Sequence, residues 1–286
     1  LGIRLAWEKI VIVRKIRNLF FSMLLCRQDY FSLYKRLFLE CGFPFEEKID
    51  WRRPFIIGIK ESKILSMNPS SLDFPRKYPP NCQYAPSRVD LTREDPMLNR
   101  RYARVMEEVC LQKQQHPDTK IIYCFSSTVM GFEKRSKIIF MKIRDICLRN
   151  PQFVFILSVG KYHNTSYLLP CPSNLYVFQQ VPQLHLLSYC DLMITSGGMN
   201  SIAECIEKEV PMLVCPLSLK SDQLGNSARV VYHGLGLRAR IKLDSSRTIE
   251  KRIVQLFENY ATFKRNLSMM RTKILAESTA INTEVI

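Results

Sequence analysis

No two of the ten cysteines stand in a C-x-x-C spacing, and Cys124, Cys190, Cys205 and Cys215 lie in or beside apolar runs. That excludes a zinc ribbon or a disulfide scaffold, and points to reduced, buried thiols in a cytoplasmic protein. Long uninterrupted apolar runs are missing too. The stretch from Ile10 to Leu25 is cut by Arg14, Lys15, Arg17 and Asn18, too often to span a bilayer. It suits an amphipathic helix, packed on its own domain or in peripheral contact with a membrane through residues 1–45. The chain opens at Leu1 with neither Met nor a signal-peptide layout, and is expected to be a piece of a longer protein. Acidic residues are scarce, 26 Asp+Glu against 42 Lys+Arg, so anionic partners are favoured. The basic residues are scattered and no nucleic-acid motif accompanies them, so nucleic acid is not among the expected partners.

What remains suits a globular protein: 286 residues, 47% hydrophobic and 10% aromatic. Residues 1–45 have helical spacing, broken near Cys41-Gly42. Phe55–Ile59 and Ile64–Ser66 are short strand candidates, and the prolines between Asn68 and Arg93 predict loop. Met97–Gln115 is expected to be a helix, and the polar run to Thr119 a linker. Beyond it short apolar strands (120–125, 153–158, 175–178, 192–195, 212–215) alternate with helices near 134–149, 200 and 222–233, and two basic helices follow near 247–258 and 260–275. This alternation predicts a Rossmann-like, doubly wound parallel sheet, which binds ligands beyond the carboxyl ends of its strands.

The densest cluster lies at one such end. After Asp191-Leu-Met-Ile-Thr195 comes Ser196-Gly-Gly-Met-Asn-Ser-Ile-Ala-Glu204. Two glycines let backbone approach a ligand, and the helix behind them presents unpaired N–H groups, an arrangement that binds a diphosphate. Asn200 and Ser201 add donors, and Glu204 could accept from ribose hydroxyls. A capping box at Ser201-x-x-Glu204 would explain the same residues without a ligand. The second cluster, Asp222-Gln223, follows the strand at Val210–Pro216. An adjacent acid and amide can grip a ring of hydroxyls, and an N-cap Asp with an exposed Gln is the plain alternative. Val181-Pro182-Gln183 and Ile122–Thr128 add two more clusters at strand ends.

These runs, with Asp222-Gln-x-x-Asn226 and Arg229–Gly236, resemble the signature of the UDP-glycosyltransferase family over about 120–275. The resemblance implies the two-domain GT-B architecture: residues 1–110 as the remnant of an incomplete N-terminal, Rossmann-like acceptor domain, 111–119 as linker, 120–275 as the donor-binding domain and 276–286 as a tail. Leu72-Asp-Phe-Pro75 is similar to that family's approach to the linker. It further implies that Val181 and Gln183 hold uracil, largely through backbone groups. Thr128, Ser196, Gly197, Gly198, Asn200 and Ser201 would hold the diphosphate, Glu204 the ribose, and Asp222 and Gln223 the donor sugar. The implied activity is inverting transfer of a hexose from a UDP-sugar to a hydroxyl-bearing small molecule or lipid. No metal or other cofactor is implied, and no Asp-x-Asp pair is present.

Three departures stand out. Ser196 replaces the family's usual His, and Ser127 and Glu209 its usual Gly. The family's general base, a His after the first strand of the acceptor domain, has no counterpart: His116, His163, His185 and His233 do not suit the role. The catalytic residue is therefore expected outside this chain, which alone should show little or no turnover. The alternative expectation is a non-catalytic UDP-sugar-binding module or a decayed remnant.

Overall fold

A computed structural model describes residues 29–50, 58–75, 77, 82–84, 89–92, 100–125, 133–160, 164–218 and 221–284. The chain divides into two compact units, one of residues 1–65 and 78–83, the other of 66–77 and 84–286. In the first, a helix at Asp29–Glu40 ends at a turn where Gly42 has φ +71°, close to the expected break. A short helix, Phe45–Lys48, follows, and Ile49–Asp50 pairs antiparallel with Gly58–Ile59. The rest of the Phe55–Ile59 strand candidate, and residues 1–28 of the expected amphipathic segment, lie outside the described residues. Among those described, no helix is long and apolar enough to cross a membrane.

The second unit is built on six parallel strands: β1 (Lys120–Phe125), β2 (Phe153–Ser158), β3 (Leu175–Phe178), β4 (Leu192–Thr195), β5 (Met212–Val214) and β6 (Gly236–Arg238). Their spatial order is β6-β5-β4-β1-β2-β3. Apolar on both faces, they sandwich between helices: α1 (Arg100–Gln115), α2 (Glu133–Arg149), α3 (Gln183–Leu187), α4 (Met199–Glu207), α5 (Gln223–Tyr232), α6 (Ser246–Glu258) and α7 (Tyr260–Glu284). One core layer joins Tyr102, Val105 and Val109 of α1 to Ile121 and Tyr123 of β1. The other joins Phe140 and Ile143 of α2 to Ile122 and Cys124. This alternation of side-chain direction along β1 is what a strand covered on both faces requires.

Strand order 3-2-1-4-5-6 reverses direction between β1 and β4, which are hydrogen-bonded neighbours through Cys124 and Ile194. The crevice of such a sheet opens at the carboxyl ends of those two strands. Ser196-Gly197-Gly198 leaves β4 at that position.

At four points the described residues differ from the organisation read in the sequence. Helix α1 runs unbroken through 111–115 and packs in the sheet's core, so the polar run is a helix end and a turn rather than a linker. The strand β6 was not foreseen. Residues 276–284 continue α7 instead of forming a tail. Residues 69–75, assigned above to the acceptor domain, form a strap of the second unit. Backbone N–H groups of Ser70 and Ser71 donate to Glu277 (2.9 and 2.7 Å), His233 Nε2 lies 3.1 Å from the Leu72 carbonyl, and Arg229 pairs with Asp73 at 2.9 Å.

Helices α4 and α5 end alike, with a residue in the left-handed region and a 6→1 backbone bond (Val210 N to Cys205 O, 2.8 Å; Leu235 N to Val230 O, 2.9 Å). At the end of α5 that residue is Gly234 (φ +62°); at the end of α4 it is Glu209 (φ +53°). A Cβ disfavours this backbone by about 1 kcal/mol. Glu209 recovers little, since its carboxylate stands 3.9 Å from both Lys264 and Arg271. Glu209→Gly should therefore raise stability by about 0.5–1 kcal/mol in denaturant melts; a loss would show that the distant ion pairs matter more than the backbone.

Candidate functional site

The turn after β4 is shaped by Gly197. Its φ of +89° is one that L side chains rarely adopt, and a Cβ there would stand 2.7 Å from Val214 Cγ1 and 3.4 Å from the Gln223 carbonyl oxygen. The bend is thus wedged between the end of β5 and the start of α5. Two clusters that are 25 residues apart in sequence meet here.

Helix α4 begins with Gly198 as N-cap and no side-chain cap, and its first internal bond is Ile202 N to Gly198 O. Ser201 lies inside the helix, so the capping box weighed above is not formed. Residues 199–201 carry the first-turn N–H groups that lack an intrahelical partner, and these point toward the crevice end of the helix. Ser196, Ser201 and Glu204 are buried, and Asn200 is exposed.

The plain alternative for Asp222-Gln223 also gives way. Asp222 holds the N-cap position but makes no capping bond; its carboxylate accepts from Asn226 Nδ2 at 2.9 Å. That same amide donates to the Gly197 carbonyl at 2.9 Å, so Asn226 ties the acid to the glycine bend. Gln223 is buried instead of exposed, and its Oε1 accepts from the backbone of Leu217 (2.8 Å) and Ser218 (3.0 Å). It thereby fixes the loop after β5.

On the other side of the bend, Gln183 Nε2 donates to Glu204 Oε2 at 2.7 Å and lies 3.4 Å from Ser201 Oγ, while its Oε1 accepts from Tyr123 OH at 3.0 Å. The Gln183 side chain is committed within the protein. What it leaves for a base is the backbone around the buried Val181 and the opening of α3. Burial pushes the Tyr123 hydroxyl well above the usual phenol range, so it stays a neutral donor.

Of the residues expected at a donor site, Val181, Gln183, Ser196, Gly197, Gly198, Asn200, Ser201, Glu204, Asp222 and Gln223 are all on segments at the carboxyl end of one sheet. Thr128 and Ser127 lie outside the described residues, as does His163. The bonds by which Tyr123 and Asn226 link the clusters, to Gln183 and to the Gly197 carbonyl, carry no sequence signal, because those partners are 60 and 29 residues away in the chain. His185 Nδ1 pairs with Tyr102 OH at 2.9 Å and His233 with the strap, so both serve packing. Every cysteine among the described residues is free, and burial pushes the thiols of Cys124, Cys190, Cys205 and Cys215 upward, keeping them neutral.

Set against known proteins, residues 163–276 match the model of the family described as UDP-glucoronosyl and UDP-glucosyl transferase. That segment is similar to UDP-glycosyltransferases. Among curated relatives, the NDP-glycosyltransferase YjiC of Bacillus subtilis is 37% identical over 34% of the chain. The zeaxanthin glucosyltransferase of Pantoea ananas is 34% identical over 35%. Those matches span 24% and 22% of the relatives' own lengths. Among solved structures, the calicheamicin glycosyltransferase CalG4 superposes with a TM-score of 0.60 at 16% identity, over 89% of this chain and 59% of that one. The spinosyn rhamnosyltransferase SpnG gives 0.60 at 17%, over 84% and 61%. Its fold is that of GT-B glycosyltransferases.

Proposed function

We propose that this chain is the donor-binding part of an inverting, metal-independent hexosyltransferase. It would take a UDP-sugar as donor and a hydroxyl of a small lipophilic molecule or lipid as acceptor. The observation that carries the reading is the bond pattern around Gly197: one bend at the sheet's switch point is linked through Asn226 to Asp222, and is flanked by the Gln183–Ser201–Glu204 cluster. A UDP-sugar has the matching order of parts, with base and ribose toward Gln183 and Glu204, diphosphate on the first turn of α4, and hexose toward Asp222 and Gln223. The first-turn amides supply charge complementarity to the diphosphate without a metal ion. The Gln223 Nε2 group, whose Oε1 is already used, is the amide donor left for a sugar hydroxyl.

In the transfer step the acceptor oxygen attacks C1 of the sugar while the bond from C1 to the β-phosphate oxygen breaks. The electron pair leaves with UDP, and a general base takes the acceptor proton. In this reading the base is supplied by residues other than these 286, because none of the four histidines suits the role, and the chain alone should bind donor and turn over little. A second reading, a UDP-sugar-binding module without transfer, is favoured by Ser196, where a hydroxyl stands in place of an imidazole on the phosphate side.

Titration calorimetry with UDP and UDP-glucose separates the roles. Glu204→Ala should weaken both ligands by about tenfold, the scale of one lost charge-assisted hydrogen bond. Asp222→Ala should weaken UDP-glucose by a similar factor and leave UDP within about twofold. Equal effects of Asp222→Ala on both ligands would remove the acid from the sugar's side of the site.

A further inference from the structure

A cavity of about 300 Å³ lies beyond the ends of β5 and β6, against the loop that Gln223 fixes. Its floor is apolar, with Leu217 and Leu224 beside the segment 239–243, and its remaining lining is cationic: Arg135, Arg238, Arg240 and Lys242. Among the described residues no acidic one lines it. The acid next in sequence, Asp244, is buried and committed, accepting from the Arg240 backbone at 2.7 Å and pairing with Arg252 at 3.1 Å. Arg135 spends one guanidinium nitrogen on the Leu217 carbonyl. Arg238 is held partly buried at the end of β6, and its Nε is enclosed with no hydrogen-bond partner among the described residues.

A desolvated arginine donor without an acceptor is costly, and natural structures rarely keep one except where something else supplies the acceptor. Four cations around an apolar floor, of which only Arg240 faces a carboxylate among the described residues (Asp244 Oδ1 at 3.7 Å), complement a specific kind of molecule. We propose that this cavity is a second binding site, for a small organic anion: an apolar ring or chain that carries a phosphate or a carboxylate. The anionic oxygens would accept from Arg238 Nε and from the guanidinium and ammonium groups at the rim, and the apolar part would cover Leu217 and Leu224. The anionic group could belong to a free molecule or to an acidic donor sugar, since Leu217 also donates to Gln223.

Phenyl phosphate is the probe, titrated into the 286-residue chain and followed on the arginine Nε–H signals by NMR. Saturable binding is expected, about tenfold tighter than inorganic phosphate because of the buried ring. Arg238→Leu should weaken it about tenfold or more, and Lys242→Ala, at an exposed position, severalfold. Saturating UDP should not displace it. Failure to saturate, displacement by UDP, or an affinity unchanged in both variants would overturn the proposal. If UDP itself does not bind while phenyl phosphate does, the donor reading fails and this one stands. UDP-glucuronate against UDP-glucose identifies the source: a preference for the acid that vanishes in Arg238→Leu assigns the anion to the donor sugar, and equal affinities assign it to a free molecule.

Discussion

Gly197→Ala should abolish measurable UDP-sugar binding. The left-handed φ at this position costs a non-glycine residue about 1–2 kcal/mol, and the added methyl meets Val214 Cγ1 at 2.7 Å. Val214 is β-branched and fully buried, so it cannot turn away. Overpacking of this kind costs about 1–3 kcal/mol more. The strain can be relieved by moving the bend off the end of β5, which would carry the first turn of α4 and the Asn226–Gly197 bond with it. A loss of about 3 kcal/mol in binding corresponds to more than a hundredfold. The double variant Gly197→Ala with Val214→Ala should recover the part due to the clash and not the part due to φ. Wild-type affinity in Gly197→Ala would mean that the bend has no part in holding the donor.

The second large effect concerns the strap. Asp73 is 9% exposed and accepts from Tyr84 OH at 2.8 Å, from the Phe74 N–H at 2.9 Å and from Arg229 at 2.9 Å. Burial alone would push its carboxyl up; the Tyr84 and Phe74 bonds and the Arg229 charge outweigh it and hold the group below the usual carboxylate range. Arg229 also lies over the Phe74 ring, 5.3 Å from its centre. Asp73→Ala removes the counter-charge and leaves a mostly buried guanidinium unpaired, at a cost of about 3 kcal/mol. For a chain of this size that lowers the melting temperature by roughly 6–12 °C. The sign with pH follows from the depressed carboxyl. Its contribution is complete above the unfolded carboxylate value of about 4, and is lost as pH falls through the lower folded value. As pH falls below about 4, wild type should therefore lose stability relative to Asp73→Ala; parallel curves would show that the pair carries no net charge stabilisation.

The sheet was legible wherever a strand is an apolar run covered on both faces. Lys120–Phe125, Phe153–Ser158, Leu175–Phe178 and Leu192–Thr195 stand as expected for that reason. The strand β6 was not legible: three residues ending in Arg238 form no apolar run, and their pairing with β5 is set by the preceding turn at Gly234. The end of α7 was missed because Ala276 to Ile281 has no apolar stripe; the contact of Glu277 with Ser70 and Ser71 lies more than 200 residues away in sequence. The strap was correctly expected to be irregular, from its prolines, but its seat on α5 and α7 depends on side chains 156 and more positions away.

At the candidate site, sequence order gave the clusters and their place at strand ends. It did not give their internal commitments. Gln183 resembles a ligand residue in sequence, yet both ends of its amide are held by Tyr123 and Glu204. Gln223 resembles a sugar-gripping amide, yet its oxygen first fixes Leu217 and Ser218. Such partnerships are set by packing between elements, which periodicity does not encode.

The most direct measurement is amide hydrogen exchange of the chain with and without UDP. Donor binding by the first turn of α4 requires that peptides covering 196–204 gain strong protection, with a smaller gain at 181–187 and none at 246–258. Exchange at 196–204 that is unchanged by saturating UDP would contradict the assignment of that turn to the diphosphate.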